Sequence, residues 1–287
     1  MHPRDAWVDQ ATVDAQWEGL RYTGRPDFAR AIDEFDAFAT LIAGARSAIE
    51  FLPMREGLTL DAIYVRDASI VSDQGVVLCG MGKDARATEP AAQGKAFERL
   101  GVPVLGEITG DGRIEGGDAV WLDAATLAVG LGYRTNAEGV RQLRALLGPD
   151  IELVVTHLPH WRGPGDVFHL MSIVSPLDAD LALVYSPLMP VTFRTELLAR
   201  GLELVEVPDE ELDMGPNAVA VGPRRCILES SNVETRRRLE AAGVEVFVYE
   251  GREISRKGLG GPTCLTRPLA RAGAPHLSLD CDGTTPG

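Results

Sequence analysis

Helical patterns in this chain stop at or beside a glycine four times, and a short apolar strand follows each stop within a few residues. Glycine adopts the left-handed backbone that ends a helix at little cost, so these glycines mark helix ends. The unit recurs about every 40 to 50 residues, which indicates a repeated α/β architecture. The helical stretches and their glycines are 91–100 with Gly101, 137–147 with Gly148, 192–199 with Gly201, and 233–241 with Gly243.

Pairs of short apolar strands joined by turns precede these helical stretches. Each unit is therefore predicted to run strand, strand, helix, strand. The clearest pair surrounds the turn at 73–75 and contains the segment with Asp61 and Asp67 at its start. The predicted pairs are 62–71 with 76–79, 119–122 with 127–130, and 218–221 with 226–228.

The two ends of the chain are predicted to form one more unit. A helix over 32–49 and a strand over 50–53 would combine with the segment around Cys264. Five such units can close into a ring whose loops meet at a central cavity. An open doubly wound sheet would predict a glycine-rich phosphate loop after the first strand, and the sequence has none. We expect one α/β domain over residues 1–287, with an N-terminal arm over 1–25 and a weakly ordered tail over 271–287.

Composition and charge exclude several classes of protein. The 287 residues are 45% hydrophobic and 24% charged, as in a globular protein with a large core. The net charge of −14 argues against a nucleic-acid or anionic-membrane partner and mildly favours a cationic small substrate, although solubility alone explains most of it. No apolar run approaches the roughly 20 residues of a membrane span, and the first residues lack the apolar core of a signal peptide. We expect a cytoplasmic protein.

One cysteine stands in an unusual local sequence. The segment 258–268, GLGGPTCLTRP, places Cys264 in a turn framed by glycine and proline, where the backbone can bring a sulfur close to a bound ligand. A buried, unreactive thiol is the ordinary alternative. The four cysteines lack the spacing of a zinc site or a disulfide scaffold, so we expect reduced thiols: Cys79, Cys226, Cys264 and Cys281.

Three polar clusters lie beside predicted strands, and each has an ordinary structural alternative. Asp61 and Asp67 would share one face of a strand by alternation, or each could cap a turn. Glu115 and Asp118 flank two glycines that permit close backbone approach, or they form a simple turn. His169 opens an apolar segment, where it could be a core histidine with satisfied hydrogen bonds.

Together these motifs resemble the guanidine-modifying enzymes of the pentein fold, which include arginine deiminases, dimethylarginine dimethylaminohydrolases and amidinotransferases. The resemblance covers about residues 61–268. It implies an α/β fold, a five-bladed α/β propeller of repeated ββαβ units around a central active site. The motifs that carry it are Asp61 with Asp67, Glu115-Gly116-Gly117-Asp118, Arg134-Thr135-Asn136, His169 and the glycine-framed Cys264.

The resemblance also implies catalytic roles. Cys264 would be the nucleophile and His169 the general acid and base. Glu115 would hold the guanidinium and orient the catalytic groups, while Asp67, helped by Asp61, would bind other guanidinium nitrogens. These roles agree with chemistry, because carboxylates bind a planar guanidinium through paired hydrogen bonds and a thiolate attacks its central carbon.

Three further residues are predicted to bind substrate. Asp118 belongs to the same acidic cluster as Glu115. Arg134 and Arg86 are candidates for the α-carboxylate of the substrate, since an arginine can bind both oxygens of a carboxylate. A surface salt bridge is the alternative for each arginine.

The resemblance implies no cofactor and no metal. His157 and His160 form an H-x-x-H sequence that could suggest a metal site. Pro159 between them argues against a helix, and no third ligand is evident. Either histidine could instead line the pocket.

Two departures bear on the substrate. Deiminases and amidinotransferases commonly have His-x-Asp, whereas this chain has His169-Leu170-Met171. The missing acid favours the dimethylarginine hydrolases over an enzyme for free arginine. Against this, Arg66 precedes Asp67 where those hydrolases often place an acid.

The expected function is hydrolysis of the guanidine group of a small arginine derivative. N-methylated arginine would give citrulline and a methylamine. The alternatives within the same enzyme class are arginine deimination and amidino transfer, and the alternative from another class is a non-catalytic ring-shaped binding protein. A homodimer is compatible with each of these.

Overall fold

The structure is a computed structural model that describes residues 1–45 and 47–269. Twelve strands in this part of the chain form four separate three-stranded sheets. In every sheet the first two strands pair antiparallel, and the third pairs parallel with the second. A helix connects the second and third strands, so each sheet belongs to one ββαβ unit.

The secondary structure elements have the following bounds. The strands β1 to β12 are Ser69–Ser72, Gly75–Leu78, Val104–Glu107, Ala119–Trp121, Thr126–Leu131, Glu152–His157, Val174–Asp178, Leu181–Val184, Glu203–Glu206, Val219–Gly222, Arg225–Glu229 and Glu245–Tyr249. The α-helices α1 to α7 are Pro3–Ala6, Gln10–Gln16, Phe28–Gly44, Glu89–Arg99, Ala137–Leu147, Val191–Ala199 and Val233–Ala241. Short 3-10 helices at Leu60–Ile63, Gly116–Asp118 and Leu170–Ser172 precede β1, β4 and β7.

The predicted repeat is confirmed. The four helical stretches are α4 to α7, and both α5 and α7 have the predicted bounds. All four glycines after these helices have positive φ, which an L side chain adopts at a cost. The mixed α/β fold of ββαβ units therefore follows from the positions where the helices stop.

The first predicted strand, over 62–71, begins later than expected. Asp61 lies in a 3-10 helix and Asp67 in a turn, and β1 starts only at Ser69. The backbone amides before Ser69 are used in other hydrogen bonds: Tyr64 N donates to Asp61 O, and Arg66 N donates to Cys264 O. The prediction that Asp61 and Asp67 share a strand face was therefore wrong.

The fifth predicted unit contributes a helix and a turn, and no strand is assigned to it among the described residues. Helix α3 begins four residues before the predicted start at 32 and ends at Gly44, and the segment predicted as a strand, 50–53, is irregular. Residues 252–256 form a π-helical turn that contacts α3. Cys264 N donates to Gly261 O in a tight turn, so this segment is unavailable for a sheet ladder.

The core lies between neighbouring units rather than within any single one. Leu127 and Val129 of β5 pack with Ile70 of β1 and Leu143 of α5 in one buried cluster. At the closing unit, Phe38 of α3 lies against Tyr249 of β12 with ring centroids 4.8 Å apart. Each sheet is too small to bury its own faces, so the units stabilise one another by contact.

The N-terminal arm packs into this core. Trp7 is fully buried, and its indole nitrogen donates to Leu60 O at 3.0 Å. Thr23 N donates to Lys257 O, which ties the end of the arm to the C-terminal segment. The arm therefore lies beside the loops that carry Asp61 and Cys264.

No helix of the described residues is long and apolar enough to cross a membrane. The predicted tail over 271–287, with Cys281, lies outside the described residues.

Replacing Trp7 with alanine is expected to lower the free energy of unfolding by about 3 to 5 kcal/mol, because the change leaves a cavity and an unpaired carbonyl. Urea unfolding followed by tryptophan fluorescence or circular dichroism measures the change. Val191→Ala is the control: Val191 is 81% exposed, so its replacement should change stability by less than about 0.5 kcal/mol. A loss below about 1 kcal/mol for Trp7→Ala would show that the arm does not support the fold.

Candidate active site

Equivalent places in the units each supply one polar side chain. Asp67, Glu115, His169 and Asn217 precede the first strand of the first, second, third and fourth units by two to five residues. Cys264 occupies the turn of the fifth unit. Contacts between these side chains, described below, bring the loops together.

A buried hydrogen bond joins His169 to Glu115. His169 Nε2 lies 2.7 Å from Glu115 Oε2, and both side chains are almost fully buried. The other oxygen of Glu115 accepts from Gly82 N at 2.9 Å and Lys83 N at 3.0 Å. Arg134 Nη1 also lies 3.2 Å from this carboxylate. Burial opposes ionisation of Glu115, but the imidazole and the cations outweigh it and hold its pKa well below the usual range.

His169 is charged at neutral pH. Burial alone would favour the neutral ring, but Asp67, Asp118 and Glu115 surround the imidazole and raise its pKa to about 9. Asp67 Oδ1 lies 3.8 Å from His169 Nδ1, on the side of the ring away from Glu115. The ring therefore enters any reaction near pH 7 as an acid that can give up a proton.

Asp118 holds the chain that carries His169. One carboxylate oxygen accepts from Thr135 Oγ1 at 2.6 Å, and the other accepts from Leu170 N at 2.9 Å. Its burial raises its pKa to about 6. Both oxygens are bonded within the protein, so Asp118 positions the neighbour of His169. Its role in substrate binding stays a prediction.

Asp67 is bound by an arginine from inside the protein. Arg86 Nη1 lies 2.5 Å from Asp67 Oδ2, and its remaining donors bind Glu89 and Tyr64 O. Arg86 is buried and lies outside the lining of the cleft. It is therefore not a surface salt bridge, and it faces Asp67 rather than open solvent.

Two more ion pairs lie beside the pair of Asp67 and Arg86. Lys83 Nζ lies 2.5 Å from Asp61 Oδ2 and also donates to Leu20 O. Arg134 is 6% exposed and contacts Glu115. The arginines predicted for the α-carboxylate of the substrate, Arg86 and Arg134, are thus both paired with acids of the site.

Cys264 lies on the tight turn and faces Asn217. Asn217 Nδ2 donates to Cys264 Sγ at 3.3 Å, and Asn217 Oδ1 accepts from Thr263 N at 3.0 Å. Burial, helped by the charge of Asp67, raises the pKa of the Cys264 thiol to about 11, and the hydrogen bond from Asn217 opposes that shift. The sulfur is therefore a thiol near pH 7 in the free protein.

Cys264 and His169 line one open cleft. One wall beside His169 is apolar and consists of Val167, Phe168 and Met171. Asp67 and Glu115 lie deeper than the lining, at 4% and 0% exposure. The lining also includes Trp161, Arg162, Asp166 and Asp213.

The sequence interpretation missed Asn217. It lies in Gly215-Pro216-Asn217, two residues before β10, at the same place in its unit as Asp67 in the first. Applying the repeat to polar residues as well as to glycines would have found it. The signal was weak because a Gly-Pro-Asn sequence is also an ordinary turn.

The predicted histidine pair lies elsewhere. His160 Nδ1 lies 2.7 Å from the hydroxyl of Tyr133 at the surface, and neither His157 nor His160 lines the cleft with Cys264. Among the described residues, ligand atoms of Asp67, Glu115 and His169 lie within 4.8 Å of one another, close enough to share a metal. The His169 hydrogen bond and the Arg86 ion pair already neutralise these acids.

Comparison with known proteins gives the family. A family model described as arginine deiminase matches residues 61–203 and 190–271, which include Asp67, Glu115, His169 and Cys264. The chain belongs to the arginine deiminase family. The predicted membership of the guanidine-modifying pentein superfamily is confirmed by this match and by the structural likeness described next.

This chain aligns with most of the length of some similar proteins and with a smaller share of others. The uncharacterized protein YkgA of Bacillus subtilis is 28% identical over 240 residues, which cover 82% of this chain and 80% of YkgA. An arginine deiminase of Rhodococcus erythropolis is 27% identical over 253 residues, 73% of this chain and 60% of that enzyme. The chain thus spans about 60% of the length of this arginine deiminase. A solved structure of dimethylarginine dimethylaminohydrolase, as an adduct with a chlorinated pyridine, is 25% identical with a TM-score of 0.74, covering 91% of this chain and 95% of that one.

Replacing Glu115 with glutamine is expected to lower the pKa of His169 from about 9 by about one to two units, because a buried negative charge beside the ring is lost. NMR of the ¹⁵N-labelled imidazole during a pH titration measures this pKa. Glu138→Gln on the outer face of α5 is the control and should leave the His169 titration in place. An unaltered His169 titration in Glu115→Gln would show that Glu115 does not set its charge.

Proposed function

We propose that this protein hydrolyses the guanidine group of an N-methylated arginine through a covalent intermediate on Cys264, giving citrulline and a methylamine. The observation that carries the proposal is the shared cleft of Cys264 and a charged His169 held by Glu115. A nucleophile and an acid on one cavity are the two groups that substitution at a guanidinium carbon requires. The family and its structural neighbours support the same class of reaction.

Asp67 is the carboxylate best placed to hold the guanidinium. Its Oδ2 is bound by Arg86, but no described residue donates a hydrogen bond to its buried Oδ1. An unpaired buried carboxylate oxygen is costly, and a guanidinium N–H would satisfy it. Because Asp67 and Glu115 lie deeper than the cleft lining, the side chains over them must part when the guanidine end enters.

The reaction begins with the thiol. A bound guanidinium cation beside Cys264 favours loss of the thiol proton to water, since opposite charges stabilise one another in a poorly solvated site. The thiolate attacks the central guanidinium carbon and forms a C–S bond. His169 gives its proton to the leaving nitrogen, the C–N bond breaks, and a neutral amine departs. A cationic S-alkylthiouronium remains on Cys264.

Hydrolysis then restores the protein. The imidazole of His169, now neutral, accepts a proton from water as the oxygen attacks the thiouronium carbon. The C–S bond breaks, the thiolate is restored, and the ureido product leaves after losing the proton from its new oxygen. The thiolate takes back a proton from water, which replaces the one lost when the thiol ionised. The proton from the ureido product goes to the amine in solution, so charge and atoms balance over the cycle.

The apolar wall favours a methylated substrate. Met171 stands where deiminases commonly have a second acid, and Val167 and Phe168 line the cleft beside it. Methyl groups remove N–H donors and add apolar surface, so they suit a hydrophobic wall better than a carboxylate. Free arginine and an amidino transfer to an amine are the alternative reactions at the same nucleophile.

Incubation with asymmetric dimethylarginine or monomethylarginine is expected to yield citrulline and the corresponding amine, detected by mass spectrometry. Cys264→Ala should remove the products completely, because no other described thiol lines the cleft. Arginine, agmatine and several guanidino acids complete the panel. If only arginine reacts and ammonia is released, the reaction is deimination instead. If no compound of the panel gives a product and Cys264 also resists alkylation, the protein is a non-catalytic binding protein.

Met171→Asp is expected to shift preference from methylated arginine toward arginine, by about tenfold or more in the ratio of kcat/KM values. The new carboxylate would bind an N–H that methylation removes. Met171→Leu keeps the apolar wall and should preserve the original ratio. If the Asp and Leu variants retain the same preference, Met171 does not read the substituent on the guanidine.

A further inference from the structure

We propose that Asn217 is a catalytic residue whose side-chain amide stabilises the Cys264 thiolate and fixes the direction of its sulfur. This inference rests on Cys264 being the nucleophile of the proposed function. Its central observation is the hydrogen bond from Asn217 Nδ2 to Cys264 Sγ at 3.3 Å.

The amide is held at both of its polar ends. Asn217 Oδ1 accepts from the backbone N–H of Thr263, the residue before the nucleophile, at 3.0 Å. Because an amide is planar, fixing the oxygen also fixes where the N–H points. Asn217 is 9% exposed, so the donor meets little competition from water.

The backbone of Asn217 is equally constrained. Its N–H donates to Met214 O at 3.1 Å. Ser175 Oγ donates to Pro216 O at 2.7 Å and lies 3.3 Å from Ala218 N, from which it accepts. Ser175, from the third unit, therefore holds the peptide groups on both sides of Asn217 by hydrogen bonds. A donor held in this way is already aimed at the sulfur before charge develops, which is the arrangement that stabilises a forming anion.

The nucleophile loop is shaped to receive this amide. A Cβ on Gly261 would lie 2.5 Å from Asn217 Cγ, so any larger residue would collide with the side chain. Thr263 Oγ1 donates to Ala218 O at 3.1 Å, a second link between the loop and the Asn217 segment. Gly261 thus permits the close approach of the Asn217 side chain.

The charges around Cys264 show why the thiolate needs a donor. Burial and the nearby carboxylate of Asp67 disfavour the anion, and the hydrogen bond from Asn217 is the largest opposing influence. Asn217 is neutral and does not titrate, so it donates throughout the pH range. When the thiol ionises, its proton goes to water, while the amide keeps both of its protons and only shares one with the sulfur.

Two substitutions distinguish the hydrogen bond that Asn217 donates to Cys264 from the one that it accepts from Thr263 N. Asn217→Asp keeps an acceptor oxygen for Thr263 N but replaces the donor with an oxygen. Asn217→Ala removes both. Asn232→Ala is the matched control, because Asn232 is buried in the same unit and donates to Glu229 O without contacting Cys264.

The test measures alkylation of Cys264 by iodoacetamide between about pH 7 and pH 9, with the site identified by peptide mass spectrometry. At a given pH the rate constant is expected to fall about tenfold in Asn217→Ala, equal to about one unit in thiol pKa, and at least as far in Asn217→Asp. Asn232→Ala should keep the natural rate. Circular dichroism confirms that each variant is folded, and the Asp variant covers the case in which Asn217→Ala does not fold.

If folded Asn217→Asp is alkylated at the wild-type rate, the proposal is wrong, even if turnover falls. Such a result would leave Asn217 with a purely structural role. Alkylation does not depend on any substrate. A reactive, Asn217-dependent Cys264 in a protein that turns over no guanidine would therefore contradict the proposed function alone. A Cys264 that stays inert in the natural protein would contradict both.

Discussion

The buried pair of His169 and Glu115 is the contact on which the site depends. It joins the loops of the second and third units, and each partner is further tied to its surroundings: Glu115 by the amides of Gly82 and Lys83, and the chain of His169 by Asp118. Breaking a buried pair by removing one partner leaves an uncompensated charge, which costs several kcal/mol. The same contact therefore fixes the geometry of the centre and the protonation of the imidazole.

Charge balance explains why so many acids can lie together at the centre. Three buried carboxylates at the centre each have a cationic partner: Lys83 on Asp61, Arg86 on Asp67, and Arg134 with His169 on Glu115. These ion pairs offset the repulsion between neighbouring carboxylates. Asp67 still has one carboxylate oxygen that accepts no hydrogen bond from the described residues.

The sequence predicted the parts of this arrangement that depend on local chemistry. Helix ends follow from glycine, because positive φ is a property of single residues, and α5 and α7 have the predicted bounds. The motif residues around the centre were identified by resemblance. Contacts between residues far apart in the sequence could not be predicted from local sequence patterns. The segment before Ser69 is held outside the sheet partly by a bond to a distant residue, since Arg66 N donates to Cys264 O. The contact between Asn217 and Cys264 likewise spans 47 residues.

Arg86 also bears on how a substrate can be held. Its guanidinium is the same chemical group as the reactive end of an arginine derivative, and it already binds one oxygen of Asp67. Glu89 holds Arg86 by two further hydrogen bonds, so this internal guanidinium is anchored from behind. The other oxygen of Asp67 lies 3.8 Å from His169 Nδ1 and accepts no hydrogen bond from the described residues. In the proposed reaction a substrate need not displace Arg86. Once the side chains over Asp67 part, the carboxylate lies between two guanidinium groups, with the inner one fixing its orientation and the outer one reacting.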